Sequence, residues 1–126
     1  MAVRYKTCLL IDDNFIDNFV TRKILETGQF AETILVMQSA QEAIDALRRG
    51  VIKPEVIFLD VRMPMMSGFE FLEEFEKLDA DVKDVRIFML SSSLDPTDIN
   101  KSSNNKYVAQ FVHKPLTHDV LEELCA

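Results

Sequence analysis

Apolar residues fall along this chain in two rhythms. Short, mainly apolar runs at Thr7 to Ile11, Thr33 to Met37, Val56 to Asp60, Arg86 to Leu90 and Val108 to His113 read as strands, and the most apolar of them as strands buried on both faces inside a parallel sheet. Between the runs, apolar residues recur at helical spacing. They are Phe15, Ile16, Phe19, Val20, Ile24 and Leu25, then Ala43, Ile44 and Leu47, then Phe69, Leu72, Phe75 and Leu78. A last, short helix is expected over Thr117 to Leu124. Asp95-Pro96-Thr97 reads as another helix start, with Pro96 near the first helical position. The residues after it, through Lys106, are polar and poor in helix formers, so that helix is expected to be short or mobile.

Local signals support these boundaries. Asp13 or Asn14 is placed to cap the first helix and Gly28 to end it. Ser39 with Glu42, and Ser67 with Glu70, have capping-box spacing, and Gly50 follows the second helical pattern. Five strands alternating with five helical patterns imply βαβ units, hence an α/β, doubly wound parallel sheet with helices on both faces. Right-handed crossovers leave few arrangements. No linker-like composition shift or internal repeat divides residues 1–126, which are expected to form one domain.

Composition narrows the function. The 126 residues carry a formal net charge of −7, which disfavours nucleic acid or an anionic membrane as a direct partner. No basic stripe and no membrane-length apolar run occurs. Met1 to Lys6 lacks a signal-peptide layout. Cys8 and Cys125 read as cytosolic thiols, with a disulfide as the alternative. A cytoplasmic location is the expectation. The short final helix, ending at Ala126, raises the further expectation of a piece cut from a longer protein.

Polar residues then stand at the strand ends: Asp12 and Asp13, Asp60, Ser91 and Lys114. In open α/β sheets the carboxyl edge is where ligands bind. Each residue alone has an ordinary explanation, such as capping for Asp12 or Asp13. Asp60 is harder to explain so, because the run before it predicts an interior strand and a carboxylate there needs a partner. Two unit charges ~4 Å apart repel by roughly 4 kcal/mol at an effective dielectric of 20. Three clustered carboxylates therefore call for a cation, and oxygen ligands without His or Cys suit Mg²⁺. Asp60 beside such an ion becomes a candidate nucleophile toward phosphorus, with Lys114 and Ser91 placed for the phosphoryl oxygens.

Asp12-Asp13, Asp60 with Met63-Pro64 and Gly68, Ser91 and Lys114-Pro115 resemble, in order and spacing, the receiver domain of two-component response regulators. The resemblance runs along nearly the whole chain. It implies a flavodoxin-like five-stranded sheet of order 2-1-3-4-5 and a signalling domain whose only catalysis is its own phosphorylation and dephosphorylation. It implies Asp60 as phosphoacceptor and Asp12, Asp13, Asp60 and the backbone carbonyl of Arg62 as Mg²⁺ ligands. Lys114 would pair with the phosphoryl group, and Ser91 and Phe111 would form the switch. Its implied donor is a histidine kinase or a histidine phosphotransfer protein. Output would pass to a protein target, with a phosphorylation-dependent homodimer as one form.

Some residues depart from the commonest pattern. Arg62, two residues after Asp60, is bulky and basic, and with Ser93 it is placed to influence the lifetime of the phosphate. Phe111 lacks the hydroxyl of a switch tyrosine. His113 and His118 are expected to flank the active edge as surface residues rather than metal ligands. An aspartyl phosphohydrolase would need an acid where Arg62 stands. The alternative reading is a receiver-like scaffold that binds partners without phosphate.

Overall fold

The computed structural model describes residues 4–93 and 95–125. Ten elements alternate: β1 (Tyr5–Ile11), α1 (Phe15–Thr27), β2 (Ala31–Met37), α2 (Ala40–Arg48), β3 (Val56–Asp60), α3 (Gly68–Glu76), β4 (Arg86–Ser91), α4 (Pro96–Ser103), β5 (Val108–His113) and α5 (His118–Cys125). The strands form one sheet of order β2-β1-β3-β4-β5, and every neighbouring pair is parallel. This is the doubly wound, flavodoxin-like arrangement. Its strand order reverses between β1 and β3, so a crevice opens where those two strands end.

Alternation along the strands divides the core in two. Leu9, Ile11, Ile57, Leu59, Ile87 and Met89 pack with α2 and α3 through Ile44, Leu47, Phe71, Leu72 and Phe75. Cys8, Leu10, Val56, Phe58, Phe88 and Leu90 face the other way, against Leu25 of α1 and Leu121 and Leu124 of α5. All five residues of β3 are buried, as its unbroken run predicts. A row of rings, Tyr5, Phe30, Phe58 and Phe88, crosses the second face with centroids 5.0–5.6 Å apart.

The caps follow the sequence closely. Asn14, rather than Asp13, caps α1 by accepting from Asp17 N. Ser67 and Glu70 form a complete capping box on α3, whereas Ser39 caps α2 only by accepting from Glu42 N. Gly28 closes α1 with an ordinary φ of −81°, and the left-handed residue is the next one, Gln29, at φ 51°. What keeps position 28 small is packing: an added Cβ would lie 2.7 Å from Leu121 Cδ2 of α5. The Asp95-Pro96 start is observed, with Asp95 accepting from Thr97 N.

One expectation is overturned. The apolar residues Phe15, Ile16, Phe19 and Val20 do not face the core; they are 73%, 69%, 67% and 40% exposed. The buried face of α1 is Asn18, Thr21 and Leu25. Asn18 Nδ2 donates to the Asp12 carbonyl oxygen at 2.7 Å, which ties the inward face of α1 to the end of β1. Phe71 joins the α3 stripe, while Phe69 is only half-buried.

Cys8 and Cys125 are both free thiols, and burial pushes Cys8 up to about 12. Among the described residues, no helix is long and apolar enough to cross a membrane.

Candidate functional site

β1 and β3 lie side by side, with Ile11 opposite Leu59, so the residues that follow, Asp12 and Asp60, emerge together at the crevice. Asp12 is 1% exposed and Asp60 6%, whereas Asp13 is exposed. One carboxylate oxygen from each of Asp12, Asp13 and Asp60 lies within 4.8 Å of the others. Asp12 is held on two sides: its Oδ1 accepts from Asn14 N at 2.9 Å, and its backbone NH donates to Met37 O at 3.1 Å.

β5 delivers the countercharge. Lys114 N donates to Ser91 O at 2.8 Å, which fixes the lysine against the end of β4. Its Nζ lies 2.7 Å from Asp12 Oδ2, 2.9 Å from Asp17 Oδ2 and 3.2 Å from Asp60 Oδ1. Burial works against the ammonium, but hydrogen bonds to Asp12 and Asp17 and the nearby Asp60 charge outweigh it and hold Lys114 above the ordinary lysine range. Asp60 moves the other way. Burial, reinforced by the Asp12 charge and opposed by Lys114, raises its carboxyl to about 6.

Ser91 is buried at the end of β4, and its Oγ accepts from Ser93 N at 3.0 Å. That bond leaves the hydroxyl proton free for an acceptor. Phe111 pairs with Met89 across β4 and β5 and packs half-buried on the α2–α3 side of the core. The Arg62 guanidinium reaches α4, where Nη2 bonds Asp98 Oδ2 at 2.6 Å. His113 is exposed beside Ser92 O. His118 does not flank the edge: it lies beside Gly28, at the opposite end of α1 from Asp12.

The loop after β3 is clamped onto the site. Val61 N donates to Leu90 O and Gly68 N to Val61 O. A Cβ at Gly68 would clash with the Asp60 carbonyl oxygen and lie 2.9 Å from Met89 Cε. Only glycine allows α3 to start this close to Asp60.

Two residues escape the sequence reading. Asp17 shares Lys114, and its signal is an acid in the first turn of α1, just beyond the Asp12-Asp13 pair. Asp98 receives Arg62, and no local pattern announces a pairing across 36 positions.

A doubly wound sheet with a buried aspartate and a cation-seeking carboxylate cluster at its carboxyl edge defines a class built for divalent-ion and phosphoryl chemistry. Comparison with known proteins agrees. Residues 8–126 match the response regulator receiver domain. The two-component response regulator ARR16 of Arabidopsis thaliana is 31% identical over 126 residues, spanning 92% of this chain and 76% of that protein. Among solved structures, the two-component response regulator from Cytophaga hutchinsonii is similar at TM-score 0.87 and 32% identity, covering 98% of this chain and 95% of that one. The response regulator receiver protein from Dyadobacter fermentans gives 0.83 and 36%, with 94% of each chain covered. This chain belongs to the response regulator receiver domain family. It is a receiver of two-component signal transduction, a class in which phosphorylation falls on an aspartate and the phosphoryl group comes from a histidine kinase or phosphotransfer protein.

Proposed function

We propose that residues 1–126 act as one receiver domain in which Asp60 accepts a phosphoryl group from the phosphohistidine of a kinase or phosphotransfer protein. The observation that carries this is the Asp60 carboxylate itself, buried at a strand end, clustered with two other acids and bonded to Lys114. In the transfer, an Asp60 carboxylate oxygen bonds to phosphorus as the P–N bond of the donor imidazole breaks, and the electron pair of that bond returns to the ring. The product is an acyl phosphate. Lys114 takes up the charge that gathers on the phosphoryl oxygens, and Ser91 donates its free hydroxyl proton to one of them. Catalysis is confined to the chain's own phosphorylation and dephosphorylation.

Receiver domains generally bind Mg²⁺ at their acidic site, and the residues here fit it. The donors are all hard oxygens: Asp12, Asp13 and Asp60 cluster together, and the one ammonium beside them, Lys114, is already shared by Asp12, Asp17 and Asp60. Asp12, Asp13, Asp60 and the Arg62 carbonyl would hold the ion. When bound, it offsets the repulsion among the carboxylates and the charge of the incoming phosphoryl group.

The outward face of α1 supports a protein donor. Phe15, Ile16, Phe19 and Val20 form an apolar ridge, and beside it a groove of about 340 Å³, lined by Asp17, Val20, Thr21, Ser92, Lys114 and Pro115, opens at the lysine. A histidine-bearing helix laid against that ridge would bring its phosphorus to Asp60. Once Ser91 bonds the phosphoryl group, Phe111 is the residue free to turn behind it. Output to a protein target or a second copy is assigned to the α4–β5 face. The free thiols suit a reducing, cytoplasmic setting.

Intact-mass analysis with acetyl phosphate and Mg²⁺ tests the proposal, with Asp60→Asn as control. One added phosphoryl mass that needs both Mg²⁺ and Asp60 supports it. A folded protein with no gain points to the phosphate-independent scaffold.

A further inference from the structure

Helix α4 is fastened to the sheet unlike its neighbours. Helices α2, α3 and α5 bury leucine, isoleucine or phenylalanine, whereas the only buried residues of α4 are Asp98 and Ser102. Its ties are correspondingly polar. Ser102 Oγ lies 3.2 Å from Met89 Sδ of β4 and donates to Asp98 O at 3.0 Å. Lys101 Nζ sits 5.1 Å from the Phe69 ring centroid. Arg62 Nη2 bonds Asp98 Oδ2 at 2.6 Å and stands 4.0 Å from Asp95 Oδ2.

The Arg62–Asp98 pair is lopsided. The Arg62 side chain is 66% exposed and the Asp98 side chain only 7%. The guanidinium therefore leaves into water at little cost, while the carboxylate has no such recourse where it is. A buried acid stripped of its counterion must find solvent, and for Asp98 that requires the first turn of α4 to move. Arg62 is also only two residues from Asp60, a chain separation of at most about 7 Å. A phosphoryl group on Asp60 adds roughly −1.5 to −2 charge and three acceptor oxygens, and guanidinium favours such a partner over a carboxylate it holds through one nitrogen.

We propose that the Arg62 side chain is a phosphoryl ligand held in reserve by Asp98. When Asp60 is phosphorylated, the guanidinium exchanges from Asp98 to the phosphoryl oxygens, and α4 loses its main tie to the rim. The inference rests on Asp60 as phosphoacceptor. It adds a residue that reads the phosphoryl group directly and a covalently continuous link from Asp60 to the contact that holds α4.

Beryllofluoride with Mg²⁺, a phosphoryl mimic, tests this on the intact chain. Fluorine NMR reports binding at Asp60, and hydrogen-exchange mass spectrometry reports residues 96–103. In the native protein, binding should speed exchange of α4 by about tenfold or more. Asp98→Asn should tighten beryllofluoride binding by about tenfold by freeing Arg62, and Arg62→Gln should weaken it to a similar degree. The gain from Asp98→Asn should vanish in the double variant. A bound fluorine signal with α4 exchange unchanged, or with Asp98→Asn binding as the native protein does, overturns the exchange while leaving the phosphoacceptor intact. Absence of any Asp60-dependent bound signal overturns the phosphoacceptor reading, and this inference with it.

Discussion

Lys114 and Asp60 stand 3.2 Å apart, Nζ to Oδ1, although Lys114 follows β5 and Asp60 ends β3, strands separated in the sheet by β4. The lysine spans that gap because its side chain is drawn in by Asp12 and Asp17 as well. It serves as the only ammonium for three acids among the described residues, and its loss would leave them facing one another.

Lys114→Met is therefore expected to destabilise the metal-free protein at pH 7 by roughly 2–3 kcal/mol. That lies below the ~3–5 of a fully buried pair losing one partner, since Asp60 can take up a proton instead. Mg²⁺ should restore much of the loss. Urea unfolding with and without the ion measures both effects.

The raised carboxyl of Asp60 gives a pH signature. Its folded value of about 6 lies above the ordinary 3.8, so the folded protein favours the protonated form. The penalty is fully present above about pH 6 and is relieved as pH falls toward 4. Compared with Asp60→Asn, the metal-free native protein should gain roughly 1 kcal/mol in relative stability between pH 7 and pH 5. Saturating Mg²⁺ should abolish that gain by favouring the carboxylate.

Gly68→Ala tests the clamp on the loop after β3. The new Cβ meets the Asp60 carbonyl oxygen and Val61 Cα, both backbone, so the loop or α3 must shift. The expected cost is about 1–3 kcal/mol, with phosphorylation by acetyl phosphate slowed at least about tenfold by the misplaced carboxylate. Stopped denaturant and phosphorylation time courses on one preparation give both numbers.

The α1 ridge separates docking from chemistry. Phe19→Ser removes an exposed ring, so stability should stay within about ±0.5 kcal/mol. Phosphotransfer from a histidine phosphotransfer protein should fall by about tenfold or more if Phe19 is a docking anchor. The acetyl phosphate rate should not change.

The same ridge marks where sequence reading stops. β3 was legible to the residue because a strand buried on both faces leaves no polar position to misplace. The site was legible because Asp12, Asp60 and Ser91 each close a buried run and Lys114 follows the edge strand β5, and a parallel sheet brings all such ends to one edge. Rotation of α1 was not legible. Hydrophobic periodicity assumes that apolar residues face the core, and here Asn18 and Thr21 face inward instead, with Asn18 bonded to the Asp12 carbonyl. Apolar residues on an exposed helix face, as Phe15, Ile16, Phe19 and Val20 are, contribute little to the core. Arg62 was legible as unusual, but its pairing with Asp98 depends on how α4 lies against the loop after β3, which no local pattern encodes.

The central claim is that Asp60 carries the phosphoryl group, and borohydride trapping tests it most directly. After incubation with acetyl phosphate and Mg²⁺, reduction converts an aspartyl phosphate to homoserine, which peptide mass spectrometry assigns to a position. Homoserine at residue 60, absent when the donor or Mg²⁺ is omitted, is the predicted result. Homoserine at Asp12, Asp13 or another carboxylate, or none at all in a folded protein, would contradict it.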